Sequence, residues 1–208
     1  MRIYPYNLSG VILAGGENSR IGLNKAYLKL DGQTFIERII DVLRPVCREI
    51  IIVSNGKELY PGLPDCRVIH TRTRIGPVAG IYEGLKAAGS QFSLCTACDI
   101  PFIHRGIVSE IVQALTPDVQ VVAPRYRGLL EPLCAAYSRE CTEAIAGNMR
   151  QGKHKIQDFF DKVKVKEIPE KDLIKHDPQG YTFFNINRME DYRKAQEIFQ
   201  NIACSGKT

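Results

Sequence analysis

A glycine-rich segment near the N-terminus carries the sharpest chemical signal in the sequence. An apolar run leads into a loop that holds three glycines, one hydroxyl and two cations, and the whole segment from Gly10 to Lys25 reads GVILAGGENSRIGLNK. Glycines let the backbone approach a ligand and present N–H groups to an anion, while Arg20 and Lys25 add charge where phosphates would lie. The pattern predicts a polyphosphate site, although it matches neither the dinucleotide fingerprint nor the P-loop. The alternative is an ordinary glycine-rich turn, which would gain nothing from the two cations.

A second candidate residue follows another apolar run. Asp99 comes directly after the run 92–97, so it is expected beyond the carboxyl end of a strand, where open α/β sheets bind ligands. A lone carboxylate there can hold magnesium, which completes its octahedron with phosphate and water oxygens. The alternative is that Asp99 caps the helix that follows.

Two further positions are candidates for nucleotide contacts. Gly76 and Pro77 open a predicted helix, whose first N–H groups favour an anion, although the same pair also suits a mere helix start. Asn55 follows the second predicted strand and is a candidate nucleoside contact. A turn at residues 54–56 explains Asn55 equally well.

Alternating apolar runs and helical patterns must position these residues. The alternation is regular over the first 125 residues and is typical of a parallel sheet with crossover helices. The predicted strands read as continuous apolar runs, as strands covered on both faces do, and span 10–13, 49–53, 67–69, 92–97 and 119–123. A capping box of Thr34 and Glu37 opens the first helix, Gly89 is placed as the C′ residue of a helix over 77–88, and a third helix spans 105–115.

The pattern changes after Pro124. We expect a strand at 133–137, short helices at 139–148 and 155–160, a polar edge strand at 163–168 and a final helix over 189–202. Asn187 and Glu190 would cap that last helix as a second box. The sequence thus favours one domain over residues 1–208. We expect residues 8–124 to form a nucleotide-binding half. Residues 125–202 would form an acceptor-binding half, the part that binds a second substrate, with a closing helix.

Composition excludes several other classes of protein. The 208 residues include 44% hydrophobic and 25% charged residues, which are ordinary globular proportions and exclude a disordered or fibrous chain. No apolar run reaches the roughly 18 residues of a membrane span, and the N-terminus lacks the apolar core of a signal peptide, so we expect a cytoplasmic protein with no membrane partner. The net charge of +5 comes from scattered cations with acids between them, which suit a small polyanion better than a nucleic acid.

The cysteines do not indicate a disulfide framework. Their number, seven, is odd, and the chain shows no export signal, so free thiols are expected. Cys95 and Cys98 have the spacing of a redox or zinc pair, but no second pair at ligand spacing follows. Burial at the end of a strand is therefore the favoured interpretation, with a metal or redox role as the alternative.

The segment from Leu13 to Lys25, LAGGxxSRxGxxK, resembles the signature loop of the molybdenum cofactor guanylyltransferases. Four further segments resemble motifs of that family, namely GPVAGI at 76–81, CDIPFI at 98–103, EPLC at 131–134 and FNIN at 184–187. The resemblance implies a Rossmann-like three-layer α/β/α nucleotidyltransferase fold with a mostly parallel central sheet. It also implies an enzyme that transfers GMP from GTP to the terminal phosphate of molybdopterin, releases pyrophosphate and uses Mg²⁺.

The same resemblance implies roles for particular residues. Arg20, Lys25 and Asp99 would be catalytic, and Asp99 would also bind the metal. The nucleotide-binding residues would be Leu13, Ala14, Gly15, Gly16, Ser19, Lys25, Asn55, Gly76, Pro77 and Asp99. The acceptor-binding candidates are Arg125, Arg127, Asn185 and Asn187. GTP and molybdopterin are the expected partners, with cofactor-delivery proteins or molybdoenzymes as candidate protein partners.

Two positions depart from the family pattern. The family has an aspartate before its GPLAGI motif, whereas residues 70–74 of this chain offer no carboxylate, and Thr71 is the nearest replacement by position. Glu131 stands where the family has histidine. We therefore expect GTP to be preferred but bound less tightly than in a relative that keeps the aspartate.

Two other functions are kept as alternatives. The chain could be a related cytidylyltransferase, or another nucleotidyltransferase that acts on a different phosphorylated acceptor, but Gly15 favours the guanylyl branch because the cytidylyl relatives tend to have alanine there. It could also be a non-catalytic nucleotide-binding accessory protein. The presence of Arg20, Lys25 and Asp99 favours the enzyme.

Overall fold

The protein forms a central sheet covered by helices on both faces. The computed structural model describes residues 8–14, 24–55, 60, 62–63, 65–71 and 76–205. The strands are β1 (Leu8–Leu13), β2 (Lys29–Leu30), β3 (Gln33–Thr34), β4 (Glu49–Ser54), β5 (Cys66–His70), β6 (Phe92–Ala97), β7 (Val121–Tyr126), β8 (Leu129–Leu130), β9 (Cys134–Ser138) and β10 (Val165–Ile168). The α-helices are α1 (Phe35–Leu43), α2 (Gly76–Ala87), α3 (Arg105–Gln113), α4 (Cys141–Arg150), α5 (Glu170–Leu173) and α6 (Met189–Ser205).

The main sheet is mixed and mostly parallel. Its strand order is β10-β7-β9-β6-β1-β4-β5, and β8 extends β7 as a hairpin. Strand β1 pairs in parallel with β4 on one side and with β6 on the other, whereas β9 runs antiparallel to both β6 and β7. Strands β2 and β3 form a separate small hairpin. The fold class implied by the resemblance is confirmed, and the carboxyl ends of β1, β4, β5, β6 and β7 lie along one edge of the sheet.

Apolar side chains on both faces of the central strands build two cores. Ile12 of β1 and Ile52 of β4 belong to the core under α1 and α3, whereas Val11 and Val53 belong to the core under α2 and α4. Because both faces are covered, these strands carry apolar residues at nearly every position. The regular apolar runs in the sequence therefore predicted β1, β4 and β6 correctly as buried parallel strands, whereas the edge strand β5 is partly exposed.

Helix α1 begins as the sequence predicts. The Thr34 side chain accepts a hydrogen bond from the Glu37 N–H, and the Glu37 carboxylate accepts one from the Thr34 N–H. The face predicted to be apolar is buried and consists of Ile36, Ile39, Ile40 and Leu43. This capping box therefore sets the start of the helix that crosses from β1 toward β4.

Several predicted boundaries are wrong. Strand β7 runs over Val121–Tyr126 instead of 119–123, because the Val119 N–H closes a turn onto the Thr116 carbonyl. The segment expected as a helix at 155–160 is a 3₁₀ helix over Ile156–Lys162. The polar edge strand is confirmed as β10, which pairs with β7.

Two predicted helix ends are also wrong. Gly89 does not have the positive φ of a C′ glycine, and its N–H donates to the Glu49 carboxylate at 2.6 Å, so a side chain replaces the left-handed cap. At the start of α6 the capping carboxylate belongs to Asp191 rather than to Glu190, because Asp191 accepts hydrogen bonds from the N–H groups of Asn187 and Arg188.

In the part of the chain that the structure describes, no helix is both long enough and apolar enough to cross a membrane.

Candidate active site

The fold places a potential ligand-binding crevice beyond the carboxyl ends of β1 and β6. Helix α1 carries the chain from β1 to β4 on one side, whereas β6 lies on the other side of β1, so the strand order reverses between β1 and β6. Such a switch point opens a crevice at the carboxyl ends of the strands. Ala14 and Asp99 lie just beyond these ends, and the Cys98 N–H donates to the Leu13 carbonyl at 3.0 Å. The two strand ends are thus held side by side.

Lys25 reaches this crevice from a short, well-anchored turn. Residues Lys25–Tyr27 form one 3₁₀ turn, and Asn24 caps it by accepting a hydrogen bond from the Ala26 N–H at 3.0 Å. Ala26 is fully buried, so the turn is fixed in the core under α1. The cap and the buried alanine together set the direction of the Lys25 side chain.

Three segments far apart in the sequence meet at Asp99. The Lys25 ammonium lies 3.7 Å from Asp99 Oδ2 and donates a hydrogen bond to Asn187 Oδ1 at 2.8 Å. The Ile186 N–H donates to the Asp99 carbonyl at 2.9 Å, which fixes the segment before α6 against the end of β6. We refer to these residues as the Lys25–Asp99–Asn187 cluster.

The negative charge of the Asp99 carboxylate is only partly compensated by its surroundings. Its side chain is only 22% exposed, Oδ2 faces Lys25, and Oδ1 is buried without a hydrogen-bond partner in the described part of the chain. Burial raises the pKa of this carboxyl above its ordinary value of 3.8, and the positive charge of Lys25 opposes that shift. A buried carboxylate oxygen with no partner fits a hard divalent cation such as Mg²⁺, which prefers oxygen ligands.

Asp99 is not a helix cap. Helix α3 is capped by His104, whose Nδ1 accepts a hydrogen bond from the Gly106 N–H at 3.1 Å. The alternative of a helix-capping role for Asp99 is therefore wrong.

The backbone of Leu13 and Ala14 is largely engaged within the protein. The Ala14 N–H donates to the Val53 carbonyl at 2.9 Å, and the Ala14 carbonyl accepts a hydrogen bond from Tyr60. The Leu13 carbonyl accepts from Cys98. Only a second lone pair on each carbonyl remains for a ligand. Gly15, Gly16, Ser19 and Arg20 lie outside the described residues.

The other nucleotide-binding candidates border the same edge of the sheet. Asn55 directly follows β4, and the Thr71 N–H donates to the Ser54 carbonyl, so residues 55 and 71 follow neighbouring strand ends. Gly76 and Pro77 are exposed in the first turn of α2, and the φ of +65° at Gly76 favours glycine there. These residues thus follow β4 and β5 in the chain, on the side of the sheet where the strands end.

The four acceptor-binding candidates separate into two pairs. Asn187 belongs to the Lys25–Asp99–Asn187 cluster, and Asn185 is exposed two residues before it. Arg125 is instead engaged by the carboxylate of Glu167, with Nε 2.6 Å from Oε2 and Nη2 2.5 Å from Oε1. Arg127 occupies the turn between β7 and β8 with a positive φ of 47°.

Cys95 and Cys98 do not form a redox pair in the described structure. Cys95 belongs to the core under α2, and Cys98 belongs to the core on the opposite face of the sheet. Burial raises the pKa of both thiols, that of Cys98 to about 12. Among the residues that the structure describes, no group of three or more His, Cys, Asp or Glu side chains could hold a metal ion. Structural burial is therefore the correct interpretation of this pair.

Sequence reasoning missed two residues that shape the site. Asn24 caps the Lys25 turn, and an asparagine directly before a short turn is a signal that could have revealed it. Tyr60 donates to Ala14, 46 residues earlier in the chain, and no local sequence pattern indicates such a contact.

This chain is similar to known proteins over most of its length. The model of the MobA-like NTP transferase domain matches residues 10–167. This chain belongs to that family. A molybdenum cofactor guanylyltransferase from Desulfosudis oleivorans is 37% identical over 190 residues, which are 91% of this chain and 94% of that protein. A probable molybdenum cofactor guanylyltransferase from Clostridium perfringens (strain 13 / Type A) is 34% identical over 198 residues, covering 91% of this chain and 98% of that protein.

Solved structures share the architecture of this MobA-like transferase. Molybdopterin-guanine dinucleotide biosynthesis protein A from Archaeoglobus fulgidus superposes with a TM-score of 0.79 at 25% identity, covering 93% of this chain and 99% of that chain. A 2-C-methyl-D-erythritol 4-phosphate cytidylyltransferase from Thermus thermophilus has a TM-score of 0.68 at 18% identity and covers 92% of this chain and 98% of that one. The second likeness concerns the fold alone.

Proposed function

We propose that this protein transfers GMP from GTP to the terminal phosphate of molybdopterin and releases pyrophosphate. The observation that carries the proposal is the Lys25–Asp99–Asn187 cluster in the crevice at the strand switch point. The names of its curated relatives support guanine as the base and the molybdenum cofactor as the acceptor. The reaction forms a bond between an acceptor phosphate oxygen and the α-phosphorus of GTP, and it breaks the bond from that phosphorus to the oxygen bridging to the β-phosphate.

Lys25 is suited to the charge changes in this reaction. Its ammonium is held by Asn187 and lies close to Asp99, so it does not have to reorganise when negative charge moves toward the leaving pyrophosphate. Preorganised cations of this kind are an effective way to stabilise a phosphoryl-transfer transition state. Arg20 would add a second cation from the glycine-rich segment.

Asp99 would hold the magnesium ion that this proposal includes. Asp99 Oδ1 is buried and has no partner among the described residues, whereas Oδ2 faces Lys25, so the carboxylate can bind a cation and keep its ion pair. When bound, Mg²⁺ would neutralise charge on the triphosphate oxygens.

The acceptor needs no dedicated general base. The second pKa of a phosphate monoester is about 6, so its nucleophilic oxygen is already ionised near pH 7. The protein then has to position and neutralise the two anions rather than remove a proton. Asn185 and Asn187 are the proposed contacts to the acceptor on the α6 side, and residues 125–202 would form the acceptor-binding half with its closing helix.

Recognition of the guanine base would have to rely on neutral groups. Guanine presents a ring N–H and an amino group, and a carboxylate would satisfy both donors. Thr71 and Asn55 lie at neighbouring strand ends and offer a hydroxyl and an amide oxygen instead. Neutral acceptors make weaker hydrogen bonds, so GTP affinity would be modest.

A transfer assay with four nucleotides tests the proposed function. Purified protein is incubated with molybdopterin, Mg²⁺ and GTP, CTP, ATP or UTP, and dinucleotide and pyrophosphate are quantified. We expect the GTP reaction to dominate and Asp99→Asn to lower kcat by about 100-fold or more, the scale of losing one preorganised electrostatic contact. Asp118→Asn is the matched control, because Asp118 is an exposed aspartate paired with Lys164 far from the crevice, and it should retain activity.

Other results would support one of the alternatives. A preference for CTP would indicate a cytidylyltransferase. Tight GTP binding without turnover for any phosphorylated acceptor would indicate an accessory protein. Wild-type activity in Asp99→Asn would place the metal site elsewhere.

A further inference from the structure

Tyr60 makes two contacts with residues that are distant from it in the sequence. It lies in the connection between β4 and β5 and is 3% exposed. Its hydroxyl donates a hydrogen bond to the Ala14 carbonyl at 2.9 Å. Its ring stacks on Tyr27, with centroids 5.6 Å apart and an angle of 22° between the planes.

The two partners of Tyr60 lie before and after residues 15–24 of the glycine-rich segment. Ala14 is the residue at which the chain leaves β1, directly before Gly15. Tyr27 belongs to the same 3₁₀ turn as Lys25, which is the last residue of that segment. One buried side chain therefore contacts both ends of the segment that carries the predicted phosphate-binding groups.

The backbone of Tyr60 shows that its placement is constrained. Its φ is +47°, in the left-handed region that a residue with a Cβ rarely adopts. Such a conformation persists only where the surroundings determine it, and the Tyr60 ring is part of the core under α1. The hydroxyl bond to Ala14 and the stacking on Tyr27 are thus held in place by the core.

We propose that Tyr60 is a positioning residue for triphosphate binding. It sets Ala14 and the Lys25 turn at a fixed separation before the nucleotide arrives, so less binding energy is lost in ordering them. This inference rests on the proposed function, because it takes GTP as the ligand. It adds a residue that touches neither the phosphates nor the metal and acts through the two ends of the glycine-rich segment.

Substitution of Tyr60 by phenylalanine tests the hydrogen bond alone. Tyr60→Phe keeps the buried ring and removes only the donor to Ala14. We expect GTP to bind about fivefold to tenfold more weakly, the scale of one hydrogen bond, while guanosine affinity stays within about twofold. In the transfer assay KM for GTP should rise by the same factor with kcat nearly unchanged, because saturating triphosphate restores the order that the hydroxyl otherwise provides.

Two further variants separate positioning from general stability. Tyr137→Phe is the matched control: Tyr137 is also buried, and its hydroxyl donates to a backbone carbonyl, that of Pro132, at 2.6 Å. Tyr137→Phe should lose about as much free energy of unfolding in urea as Tyr60→Phe does, but it should bind GTP like the wild type. Tyr27→Leu removes the stacked ring at the other contact and should weaken GTP binding as Tyr60→Phe does.

Isothermal titration of wild type and variants with GTP and guanosine decides the matter. Equal GTP affinity in wild type and Tyr60→Phe would overturn the inference and leave the proposed function standing. Equal losses for GTP and guanosine, or an equal loss in Tyr137→Phe, would reduce Tyr60 to a structural role and also overturn it. Wild-type protein that binds no GTP would instead overturn the proposed function, and this inference with it.

Discussion

At the scale of single residues, the buried charge of Asp99 is unfavourable for stability but suits the binding of a cation. Burial raises the pKa of its carboxyl, which means that the folded protein holds a proton there more tightly than the unfolded chain does. Lys25 only partly compensates the charge, and Oδ1 has no hydrogen-bond partner among the described residues. The metal-free protein therefore carries an unfavourable charge at neutral pH, and a bound cation would relieve it.

This imbalance predicts an unusual effect of Asp99→Asn on stability. A folded-state pKa above the unfolded one makes wild-type stability fall as pH rises through the window from about 4, the unfolded pKa, up to the raised folded pKa. Asparagine does not titrate. We therefore consider the free energy of unfolding of Asp99→Asn minus that of wild type, both measured in EDTA. This difference should be more positive at pH 7 than at pH 4. Urea unfolding at both pH values measures the difference.

The same experiment has a clear control and a clear contrary result. Millimolar Mg²⁺ should raise the melting temperature of wild type and leave Asp99→Asn unchanged, since only the first keeps the proposed ligand. A variant that is less stable than wild type by the same amount at pH 4 and pH 7 would show that Asp99 is not penalised by its burial.

At the scale of elements, the approach of α2 to the sheet depends on a missing side chain. Gly84 lies in the middle of α2, and a Cβ added there would come within 2.5 Å of Val11 Cγ1. Val11 is fully buried in β1 and cannot move aside freely. Glycine therefore lets α2 pack directly on the strand that leads to Ala14.

Alanine substitutions at two helical glycines test this packing. Gly84→Ala should lower the free energy of unfolding by roughly 1–3 kcal/mol through overpacking, even though alanine favours helices. Gly147→Ala in α4 is the control, because a Cβ there has Arg150 Nη2 at 3.9 Å as its nearest neighbour, and it should raise stability by roughly 0.5–1 kcal/mol. Chemical denaturation of both variants gives the values, and a stabilised Gly84→Ala would mean that α2 shifts at little cost.

At the scale of the whole molecule, the last helix closes a third core beside the crevice. This core joins the hairpin after the Lys25 turn to the C-terminal segment and consists of Leu28, Leu30, Phe35, Ile186 and Ala195. The Tyr192 hydroxyl also donates to the Lys29 carbonyl at 2.7 Å. Because Ile186 is part of this core, α6 helps to hold Asn187 against Lys25.

A charge in this core should disturb both stability and ligand binding. Ala195→Asp places a carboxylate at a fully buried position and should cost about 3 kcal/mol of the free energy of unfolding. GTP affinity should fall as well, because the Asn187 contact to Lys25 depends on the same packing. Gln196→Asp adds the same charge at the exposed neighbouring position and should change stability by less than about 0.5 kcal/mol. Equal melting temperatures for the two variants would contradict this role of α6.

The local elements and the residue types of the site could be predicted from the sequence alone. Continuous apolar runs predicted buried parallel strands because both faces of the sheet are covered, and β6 was predicted at its exact bounds. The capping box at Thr34 was predictable because both of its hydrogen bonds join residues three apart. The glycine-rich segment and Asp99 were recognised because their chemistry depends on residue types at short spacing.

Which of these residues meet depends on how the elements pack together. Lys25, Asp99 and Asn187 are brought together by strand order and by the third core, and Arg125 is directed to Glu167 by the pairing of β7 with β10. Tyr60 reaches Ala14 through the same arrangement. Contacts between residues tens of positions apart arise from packing of whole elements, and no local pattern in the chain encodes that packing.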